Sequence, residues 1–210
     1  MKKLAIIGAG DLGQLIAHHA AACGYGVYGF YDDFNAVNSD NRVMGKTSDA
    51  KQGYDDGLFS HLMMGIGYKH FEVRKRMFQS FQAQEIPFAV LVHPSCMVEE
   101  TATVGEGSFL LPGCTLDHNV VVGDNVLLNT GCVVSHDTAI SSHSFLGPGV
   151  VLAGFIKIGQ CCMIGVNSTV IDNVSITDEV RTGGGTVVTK SLTESGLYVG
   201  APARKLDERS

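Results

Sequence analysis

The chain has 210 residues, enough for one large domain or two small ones, and its 45% apolar content supports a packed core rather than disorder. A formal charge of −6, with no long Lys/Arg run, excludes a phosphate-backbone footprint, so no nucleic acid partner is expected. No stretch approaches the ~20 apolar residues that span a bilayer, and the first apolar run breaks into glycines after Ile7 without a cleavage-site pattern; no membrane partner and a cytoplasmic location are expected.

The N-terminal KLAIIG reads as a buried strand, GAGDLG as a tight turn, and LIAHHAAACG as a helix. Gly8, Gly10 and Gly13 complete a G-x-G-x-x-G at this strand-to-helix junction, and VYGFYDD sets Asp32 and Asp33 at the end of a second strand about twenty residues on. Glycines let the backbone approach phosphates, and the helix N-terminus favours negative charge. LFSHLMMGIG supplies a third strand, EVRKRMFQSFQAQ a helix, and FAVLVHP leads into the second half of the chain. This is half a Rossmann domain, too short for two mononucleotide-binding halves, so a nucleotide carrying a sugar fits it better than a dinucleotide.

From Val98 onward every sixth residue is Val, Leu or Ile, through fourteen positions ending at Ile176. Neither a helix nor a strand alternation yields an uninterrupted period of six. Such a period is a short strand plus a turn, and three units close a triangular coil of eighteen residues with the aliphatics inside. The glycines that follow the aliphatic (Gly105, Gly123, Gly147, Gly159, Gly165) are expected at turns. Two residues before each aliphatic the side chain is small or β-branched, a second inward position. Cys96, Cys114 and Cys132 fall on it at intervals of eighteen and should stack as small hydrophobes. The six cysteines form no CxxC pair and no zinc spacing, and no metal is expected. The expected domains are 1–92, Rossmann-like, and 93–210, the coil.

The two halves together resemble the hexapeptide-repeat sugar acyltransferases grouped with sialic acid O-acetyltransferases. The closest likeness is to nucleotide-amino-sugar N-acetyltransferases of the bacillosamine and perosamine pathways. GAGDLG, FYDDF, GIG followed by EVRKR, LVHPS, LLNTGCVVSHD, IGVNSTV, GGGTVV and YVGAPAR carry the resemblance, in that order, over essentially the whole chain. It implies a left-handed parallel β-helix after an α/β half-Rossmann domain. It also implies acetyl-CoA as co-substrate, a homotrimer with active sites between subunits, and a role in bacterial surface-glycan biosynthesis. The acceptor would be the amino group of a UDP-, dTDP- or GDP-linked amino-dideoxysugar of the 4-amino-4,6-dideoxyhexose type. The resemblance assigns sugar-nucleotide contacts to Gly10, Asp11, Leu12, Asp32, Asp33 and Gly67, and acetyl-CoA contacts to Gly154, Val166 and Gly184. It assigns catalysis to His136, with Asp137 beside it. Two positions depart from the family. Asp11-Leu12 stand where a Gly-His pair is usual, which leaves the nucleotide and sugar open. Phe145 stands where a second His is common, nine residues after His136, and is expected to pack against the cofactor; His143 lies two residues earlier.

N-acetylation needs a neutral amine, so a base that titrates near neutrality suits it, and a neighbouring carboxylate fixes the imidazole tautomer. Successive strand residues point to opposite faces, so Asp137 reaches His136 only at a bend. Counting by eighteen sets Gly154 above His136 and His118 below; a Gly154 N–H is a candidate oxyanion donor, and His118 reads as a surface or interface histidine. Asn129, one after Leu128, is expected beside the same face, within reach of the sugar or of His136. Two other functions remain open: O-acetylation of a sugar or sialic acid, and a nucleotide-responsive regulatory module without transferase activity.

Overall fold

The computed structural model describes residues 1–35 and 42–206. Two compact units divide the chain, Met1–Leu91 and Val92–Ser210.

In the first unit, β1 (Lys2–Ile7), β2 (Tyr25–Tyr31), β3 (Val43–Gly45) and β4 (His61–Met64) form a parallel sheet in the order β3-β2-β1-β4. Leu4, Ala5, Ile6 and Ile7 are all buried, as in a central parallel strand covered on both faces. The helices are α1 (Asp11–Ala20), α2 (Ala50–Asp55) and α3 (Phe71–Gln82). Ala5, Ile7, Leu62 and Met64 share a core with Phe78 and Phe81 of α3. The strand expected third is the fourth, because the edge strand β3 and the short α2 precede it. β3 has three residues, too few for a period to register in the sequence.

The second unit is a left-handed parallel β-helix of two-residue strands paired eighteen residues apart, such as Val121↔Ala139, Leu127↔Phe145 and Val133↔Val151. Its strands fall into three sheets, the faces of a triangular prism. Face I contains Val133–Val134 and Val151–Leu152; face II, Ala139–Ile140 and Lys157–Ile158; face III, Leu127–Leu128 and Phe145–Leu146. Of the fourteen aliphatics, the twelve from Leu110 to Ile176 are buried, while Val104 and Val98 near the start of the coil are only partly covered. The second inward position is a hydrogen-bonding ladder as well as a filler. Ser108 Oγ, Thr138 Oγ1, Ser144 Oγ and Ser168 Oγ each donate to the carbonyl fifteen residues on, and the Cys96, Cys114, Cys132 and Cys162 thiols do the same at 3.1–3.2 Å. The stacked Cys132 thiol, with burial, pushes Cys114 up to about 12, and burial pushes Cys162 up to about 12, so these are not nucleophiles.

The glycines one after the aliphatic open the turns, as expected: the carbonyls of Gly105, Gly147 and Gly165 accept from the N–H three residues on. From Gly107 to Gly185 every sixth residue has φ between 53° and 77°, and these left-handed residues, Gly185 excepted, stand three after an aliphatic of the repeat. Gly105, Gly123, Gly147, Gly159 and Gly165, one after the aliphatic, do not. They are glycine because the next coil overhangs them: a Cβ on Gly147 would lie 2.8 Å from Val166 N, and one on Gly123 2.7 Å from Ser142 N.

Candidate active site

One corner of the coil, between faces I and II, gathers His118, His136, Asp137, Gly154 and Phe155. Asp137 takes the left-handed turn position (φ 54°), which swings its carboxylate back onto the preceding residue: Oδ2 is 3.0 Å from His136 Nδ1. Asp and Asn tolerate this conformation because their short polar side chains bond locally. On the coil below, Asn119 Nδ2 donates to Asp137 Oδ1 at 3.1 Å, so both carboxylate oxygens are held. The bond from Asn119 and then that from His136 lower the Asp137 carboxyl below its ordinary range. An ionised Asp137 fixes the proton of a neutral His136 on Nδ1 and leaves the Nε2 lone pair as the basic site.

The imidazole is packed above and below. The His118 ring lies parallel to it, with centroids 5.3 Å apart and 9° between planes. Above it, a Cβ on Gly154 would come within 2.7 Å of His136 Cε1 and 2.9 Å of Nε2. Gly154 is therefore the space into which the imidazole fits. Phe155 meets the same ring edge-on, at 5.1 Å and 87°. It is 54% exposed and occupies the left-handed turn position (φ 58°), which costs a bulky residue about 1–2 kcal/mol. Donor atoms of His118, His136 and Asp137 lie within 4.8 Å of one another, the one group of metal-compatible donors among the described residues, and Asp137 is already engaged by His136 and Asn119.

In the first unit the glycine-rich loop is built by close backbone approach. A Cβ on Gly13 would lie 2.1 Å from Gly8 O, and one on Gly65 2.6 Å from the same oxygen. Gly8 itself has φ +99°. Gly10 and Gly67, by contrast, face open space and stand at the N-termini of α1 and of the short helix that leads into α3, neither capped by its own side chain. These two loops follow β1 and β4, the adjacent strands where the strand order reverses and where open α/β sheets take ligands. Asp11 and Leu12 open α1 beside Gly10, the first exposed and the second half-buried. Asp32 pins this loop, accepting from the N–H groups of Ala9, Phe34 and Asn35 at 2.8 Å each. Burial alone would raise its carboxyl; the backbone donors outweigh burial and lower it. Asp33 accepts from both the N–H and the hydroxyl of Thr47. Arg74, buried, donates to the carbonyls of Met64 and Ile66 at 2.6 and 2.8 Å and so holds the loop after β4; burial brings its guanidinium down to about 10.

Residues 92–200, just over half of the chain, match the family model described as the GMPPB C-terminal domain, and residues 3–81 that described as the PglD N-terminal domain. Perosamine N-acetyltransferase from Caulobacter crescentus, solved as a histidine-to-asparagine variant in complex with CoA and GDP-perosamine, is 27% identical with a TM-score of 0.92, over 99% of this chain and 98% of that one. The acetyltransferase domain of PglB from Neisseria gonorrhoeae is 28% identical with a TM-score of 0.88, over 98% and 100%. The chain belongs to the hexapeptide-repeat sugar acyltransferases. Its coil belongs to the GMPPB C-terminal domain family. A UDP-3-O-acylglucosamine N-acyltransferase of Delftia acidovorans is 41% identical over 49 residues, 23% of this chain and 15% of that relative's length.

Within one copy of this acyltransferase the other expected site residues of the coil lie away from His136. Val166 and Gly184 sit at the corner between faces III and I, stacked so that a Cβ on Gly184 would be 3.0 Å from Val166 Cγ1. Asn129 stands at that corner too, its Oδ1 accepting from Thr130 N–H at 2.8 Å. The expectation that it reaches His136 is corrected for a single chain: the turn after Leu128 comes one face earlier than the turn after Val134. Phe145 is half-buried on face III, just before the same corner. His143 is buried at the remaining corner, with Nδ1 3.0 Å from Asn125 Nδ2. Sequence reasoning missed Asn119 and Phe155, although both lie eighteen residues from Asp137 and the same counting would have found them. No helix among the described residues is long and apolar enough to cross a membrane.

Proposed function

We propose that the protein transfers the acetyl group of acetyl-CoA to the amino group of a nucleotide-linked amino sugar, with His136 as general base. The observation that carries this reading is the His136 imidazole, oriented through Nδ1 by Asp137 and seated over Gly154, with Nε2 as its basic nitrogen. The fold neighbours at 27–29% identity, crystallised with CoA and GDP-perosamine, support the choice of co-substrate and acceptor class.

Acetyl-CoA supplies an activated thioester. His136 Nε2 accepts the amine proton as nitrogen bonds to the thioester carbon, and Asp137 stabilises the imidazolium that forms. The carbon–sulfur bond then breaks, and the thiolate leaves with a proton returned from His136. The Gly154 N–H is the donor assigned to the developing oxyanion. The expected N-terminal domain, residues 1–92, holds the nucleotide sugar, with the open backbone at Gly10 and Gly67, Asp11 and Leu12 taking the diphosphate side. Asp32 acts on it by shaping the Gly10 loop and Asp33 by holding Thr47 after β3, since their oxygens already accept bonds within the chain. Domain 93–210 carries out transfer.

A homotrimer completes the site. Face I lies between the His136 corner and the Val166–Gly184 corner, and its outward residues include exposed Met97, Val133 and Val151. Turned toward a threefold axis, face I buries these side chains and brings the His136 corner of one copy against the Asn129, Val166 and Gly184 corner of the next. Both Phe145 and the low Gly184 surface then border the cofactor groove. The setting is cytoplasmic biosynthesis of a bacterial surface glycan.

The test is acetyl transfer to UDP-, dTDP- and GDP-linked 4-amino sugars and to their hydroxyl counterparts, read by product mass. Acetylation of an amino sugar is expected. Acetylation of the hydroxyl acceptor alone would replace the N-transfer reading with O-transfer, and transfer to neither would overturn both.

A further inference from the structure

Four residues stack in the left-handed turn position at the catalytic corner: Asn119, Asp137, Phe155 and Asn173, with φ of 58°, 54°, 58° and 59°. Three are the short polar residues that adopt this conformation readily. The fourth is a phenylalanine, for which it is strained. Burial recovers little of that strain, because more than half of the residue is exposed. The exception falls on the one coil where the ring also meets the His136 imidazole, and the Phe155 N–H is bonded to the His136 carbonyl at 3.1 Å. Coil closure imposes this conformation at every sixth residue, Cys161 and Glu179 included, so what marks Phe155 out is that its exposed ring meets the His136 imidazole.

We propose that Phe155 is the specificity-determining contact for the acceptor sugar: its exposed ring takes the apolar C–H face of the pyranose beside His136. This rests on the reading of the protein as a nucleotide-amino-sugar acetyltransferase. A sugar ring has two chemically distinct aspects, a C–H face and a rim of hydroxyls. The corner has both counterparts. Phe155 is an apolar plane, while the exposed His118, two coils below, supplies a polar edge for the rim. An aromatic wall at this point also excludes water from the side of the imidazole it covers. The contact is with the sugar ring, so Phe155 adds affinity for the sugar alone.

The experiment compares wild type with Phe155→Asn and Phe155→Trp. Affinities for a GDP-, UDP- or dTDP-linked 4-amino sugar, for the matching nucleoside diphosphate, and for acetyl-CoA are measured by calorimetry, with thermal midpoints alongside. Asn is the residue the column otherwise uses, so Phe155→Asn is expected to melt at or above the wild-type temperature. Its affinity for the amino-sugar nucleotide should fall about tenfold, with the bare diphosphate and acetyl-CoA within about twofold. Trp, aromatic but equally strained, should restore sugar affinity. Unchanged sugar affinity in Phe155→Asn, a loss shared equally by the bare diphosphate, a loss confined to acetyl-CoA, or failure of Trp to rescue each overturns the proposal. Binding is read apart from turnover, so a protein that discriminates the sugar yet transfers no acetyl group refutes the reaction and not the contact.

Discussion

The coil places side chains by repetition, whereas the first unit places them by contacts that occur once. At the His136 corner, His118, His136 and Gly154 fall into one column because the register advances eighteen residues per turn, as Val133↔Val151 does. In the glycine loop, Gly8, Gly13 and Gly65 meet through a crossing of strand, helix and strand that no period encodes. The two kinds of glycine therefore differ in what they protect. A Cβ on Gly154 collides with the movable end of a side chain; a Cβ on Gly13 collides with backbone.

Removing the base should have the largest effect. His136→Ala is expected to lower kcat by about 10²–10⁴-fold, the usual contribution of a general base, while thermal unfolding changes little because the imidazole is partly exposed. Near-normal turnover would remove His136 from the chemistry. Gly154→Ala comes next. The imidazole must swing aside, and a displacement near 1 Å lowers kcat by about 10²-fold, yet the melting temperature should hold. If Gly154→Ala unfolds the coil while leaving the kcat of the residual folded enzyme intact, the distinction between the two glycines fails.

Gly13→Ala should show the opposite profile. Overpacking against Gly8 O is expected to destabilise by about 1–3 kcal/mol, seen as a lowered melting temperature, and to weaken nucleotide-sugar binding before it touches acetyl-CoA binding. The smallest effect is a pH dependence at Asp32. Its folded carboxyl ionises at lower pH than the unfolded one, so its stabilisation is complete above about pH 4 and fades as pH falls through the lowered folded value. Asp32→Asn should therefore be less stable than wild type near neutrality, by about 1–3 kcal/mol for the disturbed loop bonds, with the gap closing in acid. A gap independent of pH would mean that Asp32 acts through shape and not through charge.

The same contrast explains what the sequence made legible. The fourteen aliphatics give the coil, its three faces and the His118–His136–Gly154 column by counting alone. The left-handed ladder from Gly107 to Gly185 was hidden because Gly, Asn, Asp, His, Phe, Cys and Glu all occupy it; the backbone closure of the triangle, and not residue type, sets the conformation. In the first unit, β1, α1, β2 and α3 were readable from apolar runs and glycine spacing. That Asp33 is engaged by Thr47, and that buried Arg74 holds the loop after β4, depend on tertiary approach with no sequence signature. Asn129 shows the limit of counting within one chain: adjacency to Leu128 fixed its corner, and that corner is not the one His136 occupies.

The central claim is that His136 of one copy works against the Val166–Gly184 corner of the next, and subunit complementation tests it most directly. His136→Ala keeps the second corner intact; Val166→Arg keeps the base intact and blocks that corner. Each variant alone should be inactive as a folded oligomer. Co-expressed, they should regain a sizeable fraction of wild-type acetyl transfer through sites that join the base of one variant to the open corner of the other. Mixed oligomers that form and remain inactive would contradict the account.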